Sequence, residues 1–454
     1  MTKKDIKALV KDLNKTLEDA SRYMWNNPEV GGEEKLSVDY YKKLFKEEGF
    51  TIFEEEKLPT AFYAEYGSGS PVIAVLGEYD ALPGLSQKVS TVKEAVVDGG
   101  PGHGCGHNLI GAASAVAAIA IKRFLEKNKQ EGSVRFYASP EEELLSGKVK
   151  MAKLGMFDGA DFAISWHPIS YNAVFDKAFL ANAAEKFYFK GVSSHAAFAP
   201  ELGRSALDAV ELMSVGTNYL REHVIERARI HYTTDSMGYA PNIVHPFANA
   251  WYYVRAPYMQ DVKDILPRLE KVAEGAAMMT ETEVKKELQS GCYEMLENIS
   301  FADLVYENMK LADPQDFTKE EEDFAQALMK SEPKEKVDRQ RNLCNTGGKA
   351  LSNSIQPRDF QNVSPMSASS DSGDVSQMMP MCLFTTACWP VGAAPHTWQA
   401  SAATGHTMAE KGALLAAEVL ALTAYDLLTK PEAREIIKKE FDEKKQAYEP
   451  MIEI

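Results

Sequence analysis

The feature that most constrains this chain is an alternation. Short apolar runs of strand length are each followed by a polar loop and then by a segment of helix length. Pro71-Val-Ile-Ala-Val-Leu-Gly77 is apolar without a break and bounded by turn residues, the pattern of a strand buried on both faces. Ser133–Ala138, Phe162–Ser165 and Met381–Thr386 read the same way, and Thr51–Glu55 and Thr60–Tyr66 are β-rich. Helix-like stretches lie between and around them: Glu34–Glu48, Leu109 to about Lys127, and Thr407 to about Leu428. Strands alternating with helices predict an α/β fold with a mostly parallel sheet and helices on both faces. In such sheets, sites form in the loops beyond the strands' C-terminal ends.

From about Ala183 the pattern changes. Phe187–Lys190 reads as a strand, Arg204–Val224 as a helix, Asn242–Arg255 as a strand pair, Ile265–Met278 as a helix and Glu283–Leu288 as a strand. That β-α-β-β-α-β order is a ferredoxin-like unit inserted as one piece. The expected domains are therefore 1–182 and 297–454 for the parallel-sheet part, with 183–296 inserted. A chain of 454 residues exceeds one ordinary core, so a division is expected on size alone. The segment Pro314–Arg341 is charged and helix-like, a surface elaboration.

Charge and composition exclude some partners. The formal net charge is -16, which argues against nucleic acid. No uninterrupted apolar run reaches the ~18 residues of a membrane span. The charged N-terminus MTKKDIKALVKDLNKTLEDA lacks the apolar stretch of a signal peptide, so a cytoplasmic location is expected. Five cysteines, irregularly spaced, fit a reducing compartment better than a disulfide framework. An acidic surface also repels anions, so any site for a carboxylate needs local positive charge.

The chemistry-bearing residues fall in the predicted strand-end loops. Gly102-His-Gly-Cys-Gly-His-Asn108 holds Cys105 and His107 two residues apart, and thiolate and imidazole are ligands of zinc-group metals. Its glycines permit backbone that turns both side chains to one point. The competing reading is a flexible loop with one buried cysteine. Glu142 and Glu143 can serve a metal and a water, yet Ser139-Pro140-Glu141-Glu142 also reads as a capping box with proline at the first helical position. His167 ends a short strand, and His396 sits in Val391-Gly-Ala-Ala-Pro-His-Thr-Trp398. A single histidine is usually structural; one cysteine, three histidines and a glutamate pair in the loops of one sheet suffice for two metals.

Together with GEYDALPGLSQ, GHGCGHNLIGAASA, SPEEE, SWHP, HAAFAPELGRSALDAVELM, NYLREH, SPMSASSDSGDVS and PHTWQ, these residues resemble the M20 metallopeptidases over most of the chain. The branch is the Cys-containing amidohydrolases, nearest the B-subunit group of the p-aminobenzoyl-glutamate hydrolases. The resemblance implies a zinc-peptidase-like catalytic domain with an inserted lid and dimerisation domain. It implies Cys105, His107, Glu143, His167 and His396 as metal ligands, Glu142 as general base and Asp80 as the acid that orients the cluster. It implies His195 as an oxyanion-binding residue reaching a partner's site, and Asn242 and Arg255 as holders of the substrate carboxylate. Two divalent ions are implied, manganese or zinc, with cobalt or nickel as alternatives. The expected reaction is hydrolysis of an N-acyl amino acid or dipeptide with a free carboxylate, by a homodimer or a hetero-oligomer with a homologous chain. A broad aminoacylase or dipeptidase, and a non-catalytic subunit, are the other readings. Asn108 and Gly373-Asp374-Val375 depart from the wider branch and recur in the aminobenzoyl-glutamate group. Neither a phosphate-binding Gly-rich loop nor a Gly-x-Ser-x-Gly elbow occurs in the sequence.

Overall fold

The computed structural model describes residues 1–175, 177–360, 366–452 and 454. Ser364 and Pro365, which begin the SPMSASSDSGDVS stretch, lie outside them. Among the described residues the strands are β1 (Thr51–Glu54), β2 (Phe62–Ser68), β3 (Val72–Glu78), β4 (Gly132–Ser139), β5 (Phe162–Ile169), β6 (Ala173–Phe175), β7 (Ala181–Lys190), β8 (Arg229–Asp235), β9 (Phe247–Ala256), β10 (Glu283–Cys292) and β11 (Met381–Ala387). Two compact units result. The first comprises Met1–Lys177, Leu296–Val363 and Val375–Tyr448; the second comprises Ala178–Met295, Ser364–Asp374 and Glu449–Ile454.

The first unit is built on a sheet of order β1-β2-β4-β3-β5-β11-β6. Its centre, β4-β3-β5-β11, is parallel, and antiparallel strands close both edges. β3 and β11 are buried almost end to end, which explains their unbroken apolar sequence. The chain runs from β3 to β4 on one side and then crosses to β5 on the other, so a topological switch point lies between β3 and β5. Two long helices, His107–Asn128 and Thr407–Thr429, fill the core. Both are apolar and long enough to cross a membrane, but 89% and 83% of those stretches are buried inside the protein. The first presses so close to β3 that a Cβ on Gly111 would stand 2.7 Å from the Glu78 carbonyl oxygen.

The second unit is a four-stranded antiparallel sheet of order β10-β7-β9-β8. In order of succession this is the ferredoxin-like arrangement, with helices Ala206–Leu220 and Met259–Thr280 packed on one face. β9 shows the cause in its period of two. Ala248, Ala250, Tyr252, Val254 and Ala256 are buried, whereas Asn249, Trp251, Tyr253 and Arg255 are only partly so.

Three expectations need correction. The insertion is not one piece, because the described residues 366–374 and 449–452 belong to the same unit. Asn242–Arg255 is not a strand pair: only β9 lies there, and its partner β8 comes earlier, at Arg229–Asp235. The expected capping box does not form either. Ser139 ends β4, Glu141 takes a left-handed φ of 55°, and only a short 3-10 turn, Glu142–Leu144, follows before the helix Gly147–Lys153. Glu141 holds that bend through its neighbours: its N–H donates to Glu34 Oε1 at 2.9 Å, and its carboxylate accepts from Ser146 Oγ at 2.6 Å and from Lys150.

Candidate metal centre

All the donors read from the first unit's loops converge. Cys105 and His107 follow β3, Glu142 and Glu143 follow β4, His167 lies near the end of β5, and His396 follows β11. Three overlapping triads result: Cys105–His107–His167, Cys105–Glu143–His396 and His107–Glu142–Glu143. Within each, the ligand atoms all lie within 4.8 Å of one another. Cys105, His107 and Glu143 are each shared between two triads, so the donors form one continuous cluster with room for neighbouring ions to share ligands.

Local backbone explains how loops so far apart in sequence meet. Gly106 sits before the helix at a left-handed φ of 85°, and a Cβ there would stand 2.6 Å from Pro168 Cγ. That close approach brings the Cys105 loop against the end of β5, where Cys105 Sγ lies 3.3 Å from His167 Nε2. His396 holds a left-handed φ of 62°, uncommon for any residue but glycine, and its N–H donates to the Gly104 carbonyl at 2.9 Å. From there His396 Nε2 stands 3.3 Å from Glu143 Oε2.

Asp80 aims two of the donors. Its Oδ1 accepts from His107 Nδ1 at 2.8 Å and its Oδ2 from the Glu143 backbone N–H at 2.9 Å. A carboxylate only accepts here, so His107 Nδ1 donates to Asp80 and its Nε2 is left facing the other donors; burial works against its charge, but Asp80 and Cys105 raise its pKa well above the ordinary histidine value, so a cation would take the place of the Nε2 proton. His167 is fixed in the same way, with Nδ1 donating to the Pro168 carbonyl at 2.8 Å. The fit to a cation rests on two buried atoms, His107 Nε2 and Glu143 Oε1, which have no hydrogen-bond partner among the described residues. Crowded negative charge points the same way. Burial, then the charge of Glu78, pushes the Glu142 carboxyl up to about 8, and burial with Asp80 pushes Glu143 up to about 7. Burial, then His107, pulls His167 down to about 4, so it is a neutral ligand near pH 7.

Sequence reasoning missed the support behind this cluster. Lys148 is fully buried and pairs with Glu78 at 2.6 Å; Glu78 in turn stands 3.6 Å from His107 Nε2. Glu34, beneath Glu141, was missed too, and burial and Asp80 push it up to about 8. His406 caps the helix Thr407–Thr429, its Nδ1 accepting from the Met408 N–H at 3.3 Å. His103 is buried, with its Nε2 3.1 Å from the Met24 carbonyl oxygen. The other expected residues belong to the second unit. His195 is exposed and its Nδ1 accepts from the N–H groups of Ala197 and Phe198; the loop of Asn242 pairs with it through Ala196 N–H at 3.0 Å. Arg255 lies on β9, away from both along the chain, and lines a separate cavity of that unit.

Comparison with known proteins adds the following. The profile described as peptidase family M20/M25/M40 matches residues 74–425. The B-subunit of the p-aminobenzoyl-glutamate hydrolase of Escherichia coli (strain K12) is 42% identical over 428 residues, covering 90% of this chain and 88% of that one. The Xaa-Arg dipeptidase of Mus musculus is 28% identical over 440 residues, covering 93% and 88%. Among solved structures, a Bacillus subtilis protein described as a dinuclear metal-binding peptidase of the M20 family superposes with a TM-score of 0.52 at 18% identity, over 90% of this chain and 99% of that one.

Proposed function

Because the chain belongs to peptidase family M20/M25/M40, we propose that its converging donors hold two divalent metal ions and hydrolyse an amide bond beside a carboxylate. The observation that carries this reading is the set of three overlapping triads, with their unpartnered buried nitrogen and oxygen. Cys105, His107, Glu143, His167 and His396 are the proposed ligands. Zinc suits a set that mixes thiolate, imidazole and carboxylate; manganese, with cobalt or nickel as alternatives, is carried over from the family resemblance alone. When bound, the ions supply Lewis-acid polarisation of the amide carbonyl and acidify the attacking water. Glu142 takes the proton from that water and delivers it to the leaving amine nitrogen. Asp80 keeps His107 in the correct tautomer throughout. In the inserted domain, His195 is assigned to the oxyanion, and Asn242 and Arg255 to the substrate carboxylate, a planar fork being suited to it.

The substrate class is an N-acyl amino acid or dipeptide with a free carboxylate, with p-aminobenzoyl-glutamate the leading member. Support comes from the 42% identical relative that bears that name. A broader dipeptidase is the second reading, supported by the 28% identical Xaa-Arg dipeptidase. We further propose a homodimer or an assembly with a homologous chain. The relative's designation as one subunit of an enzyme and the largely exposed edge strand β8 support this. A reducing, cytoplasmic location accords with five cysteines that are all buried and free.

The decisive experiment is Glu142→Gln, assayed on p-aminobenzoyl-glutamate after chelation and return of manganese or zinc. We expect both metals to be retained and turnover to fall by about 10²- to 10⁴-fold. A variant that stays active removes Glu142 as the base. An intact, metal-loaded wild type without turnover would favour the non-catalytic subunit instead.

A further inference from the structure

Lys148 is a lysine with no exposed surface, and Glu78, which it meets at 2.6 Å through Oε1, is buried too. A buried ion pair is weak evidence of stability, because desolvation of both charges offsets their attraction. An apolar pair of similar volume often serves a fold as well or better. The pair therefore calls for a reason other than packing, and the groups around Glu78 supply one.

Lys148 occupies Oε1 of Glu78 and leaves Oε2 facing the metal centre. Glu78 Oε2 stands 3.6 Å from His107 Nε2, a buried nitrogen without a hydrogen-bond partner among the described residues. That distance is too long for an N–H···O hydrogen bond. It suits two donors of one ion: with bonds of about 2.0–2.2 Å at a tetrahedral angle, ligand atoms lie about 3.4 Å apart. Two other carboxylates flank the same nitrogen, Glu142 Oε2 at 3.8 Å and Glu143 Oε1 at 3.9 Å. Both are assigned above to the centre, as base and as ligand, and Glu78 is nearer than either. Glu78 is also the last residue of β3, opposite Ser139 of β4, so a rigid strand fixes where its side chain begins. The triad Cys105–His107–His167 supplies three donors; Glu78 makes four and leaves water the fifth place that zinc sites open during catalysis.

On the two-ion reading above, we propose that Glu78 is a sixth metal donor, which binds through Oε2 the ion held by Cys105, His107 and His167, and that Lys148 is its positioning residue. Lys148 holds Oε1 and so limits Glu78 to one bond with the ion. Its charge offsets that of the added carboxylate, so the ion keeps its power to polarise a carbonyl. While the centre is empty, the same ammonium keeps a buried carboxylate tolerable beside Glu142 and Glu143.

The test is Glu78→Gln, which keeps the volume and removes the charged donor. In metal-buffered solution we expect the wild type to take up two zinc ions. Glu78→Gln should need about 100-fold more free zinc for one of them, while the other loads as before. Protein loaded with cobalt should differ between wild type and Glu78→Gln in its visible absorption, which reports the donors and geometry of the ion. Lys148→Met leaves Glu78 an unpaired buried charge, which a bound ion relieves. Its melting temperature should fall about 5 °C below wild type after chelation and recover at least half of that with zinc bound. Equal falls in both states would remove Lys148 as the positioning residue. Should a single variant fail to fold, Glu78→Gln combined with Lys148→Met leaves no unpaired charge and should show the same weakened ion. Two ions bound with wild-type affinity and an unchanged cobalt spectrum, in Glu78→Gln or in that double variant, would overturn the sixth donor and leave the two-ion reading standing. A wild type that binds no ion would overturn both.

Discussion

At the scale of single residues, the centre depends on groups that never touch a metal. Asp80 is the clearest case, because one carboxylate holds both the ring of His107 and the backbone of Glu143. Asp80→Asn keeps the shape but replaces one acceptor oxygen with a donor, which faces either the His107 Nδ1–H or the Glu143 N–H. Such supporting partners typically govern metal affinity by about 10- to 100-fold. We therefore expect Asp80→Asn to need that much more free manganese or zinc for half-loading, measured in metal-buffered solution, with the fold intact by circular dichroism. Unchanged loading would show that Asp80 does not orient the ligands. The donors themselves were legible because Cys105, His107, Glu142 and Glu143 stand in conspicuous loops. Lys148 was not, since a lysine in the helix Gly147–Lys153 reads as solvent-exposed unless one knows that Glu78 lies beneath it. Burying that pair costs desolvation on both sides, so its position beside His107 is a property of the folded site and leaves no local pattern.

At the scale of elements, periodicity told more than local signals. β3, β4, β5 and β11 were found because buried parallel strands are apolar throughout, and the core helices because their length and apolar content are unmistakable. The signals that misled were short ones. Ser139-Pro140-Glu141-Glu142 has the composition of a helix start, yet the bend at Glu141 is held by Glu34, Ser146 and Lys150, which no window of a few residues contains. Long-range capping recurs at the helix Ile299–Leu311. Asn298 accepts from the Phe301 N–H, while both oxygens of Glu440, from the helix Pro431–Lys444, accept from the Ile299 and Ser300 N–H groups at 2.8 Å. Burial works against the charge of Glu440, but Lys444 and these hydrogen bonds outweigh it and hold its pKa down to about 2. A carboxylate with a folded pKa below its unfolded value stabilises above the unfolded value, and loses that contribution as pH falls through the folded one. Glu440→Gln should thus cost about 1 kcal/mol at pH 7. The gap to wild type should narrow from pH 4.5 towards pH 2, the two values between which the carboxylate's pKa moves on folding. Urea unfolding at pH 7 and pH 3 measures it; a gap that does not change between them would refute the clasp.

At the scale of the whole molecule, the sequence announces two cores through a change of period near Ala183. It does not announce that residues 366–374 and 449–452 join the second unit, since both segments are short and lie far along the chain from its strands. This division has a thermodynamic consequence. Every proposed metal ligand, with Asp80, Glu78 and Lys148, belongs to the first unit. A ligand that binds only the folded form stabilises by RT ln(1 + [L]/Kd), about 2.7 kcal/mol at a hundredfold excess over Kd. That stabilisation falls on the unit whose unfolding scatters the ligands. The slowest-exchanging amides of each sheet report the opening of their own unit. Chelation followed by hydrogen exchange should therefore speed exchange in β3, β4, β5 and β11 by about 100-fold, the equivalent of that energy, and leave β7, β9 and β10 within about threefold. Return of manganese or zinc should restore the first sheet alone. Equal acceleration in both sheets would mean that the units open together and that metal binding is a property of the whole chain. No change in either would mean that Cys105, His107, Glu143, His167 and His396 hold no ion.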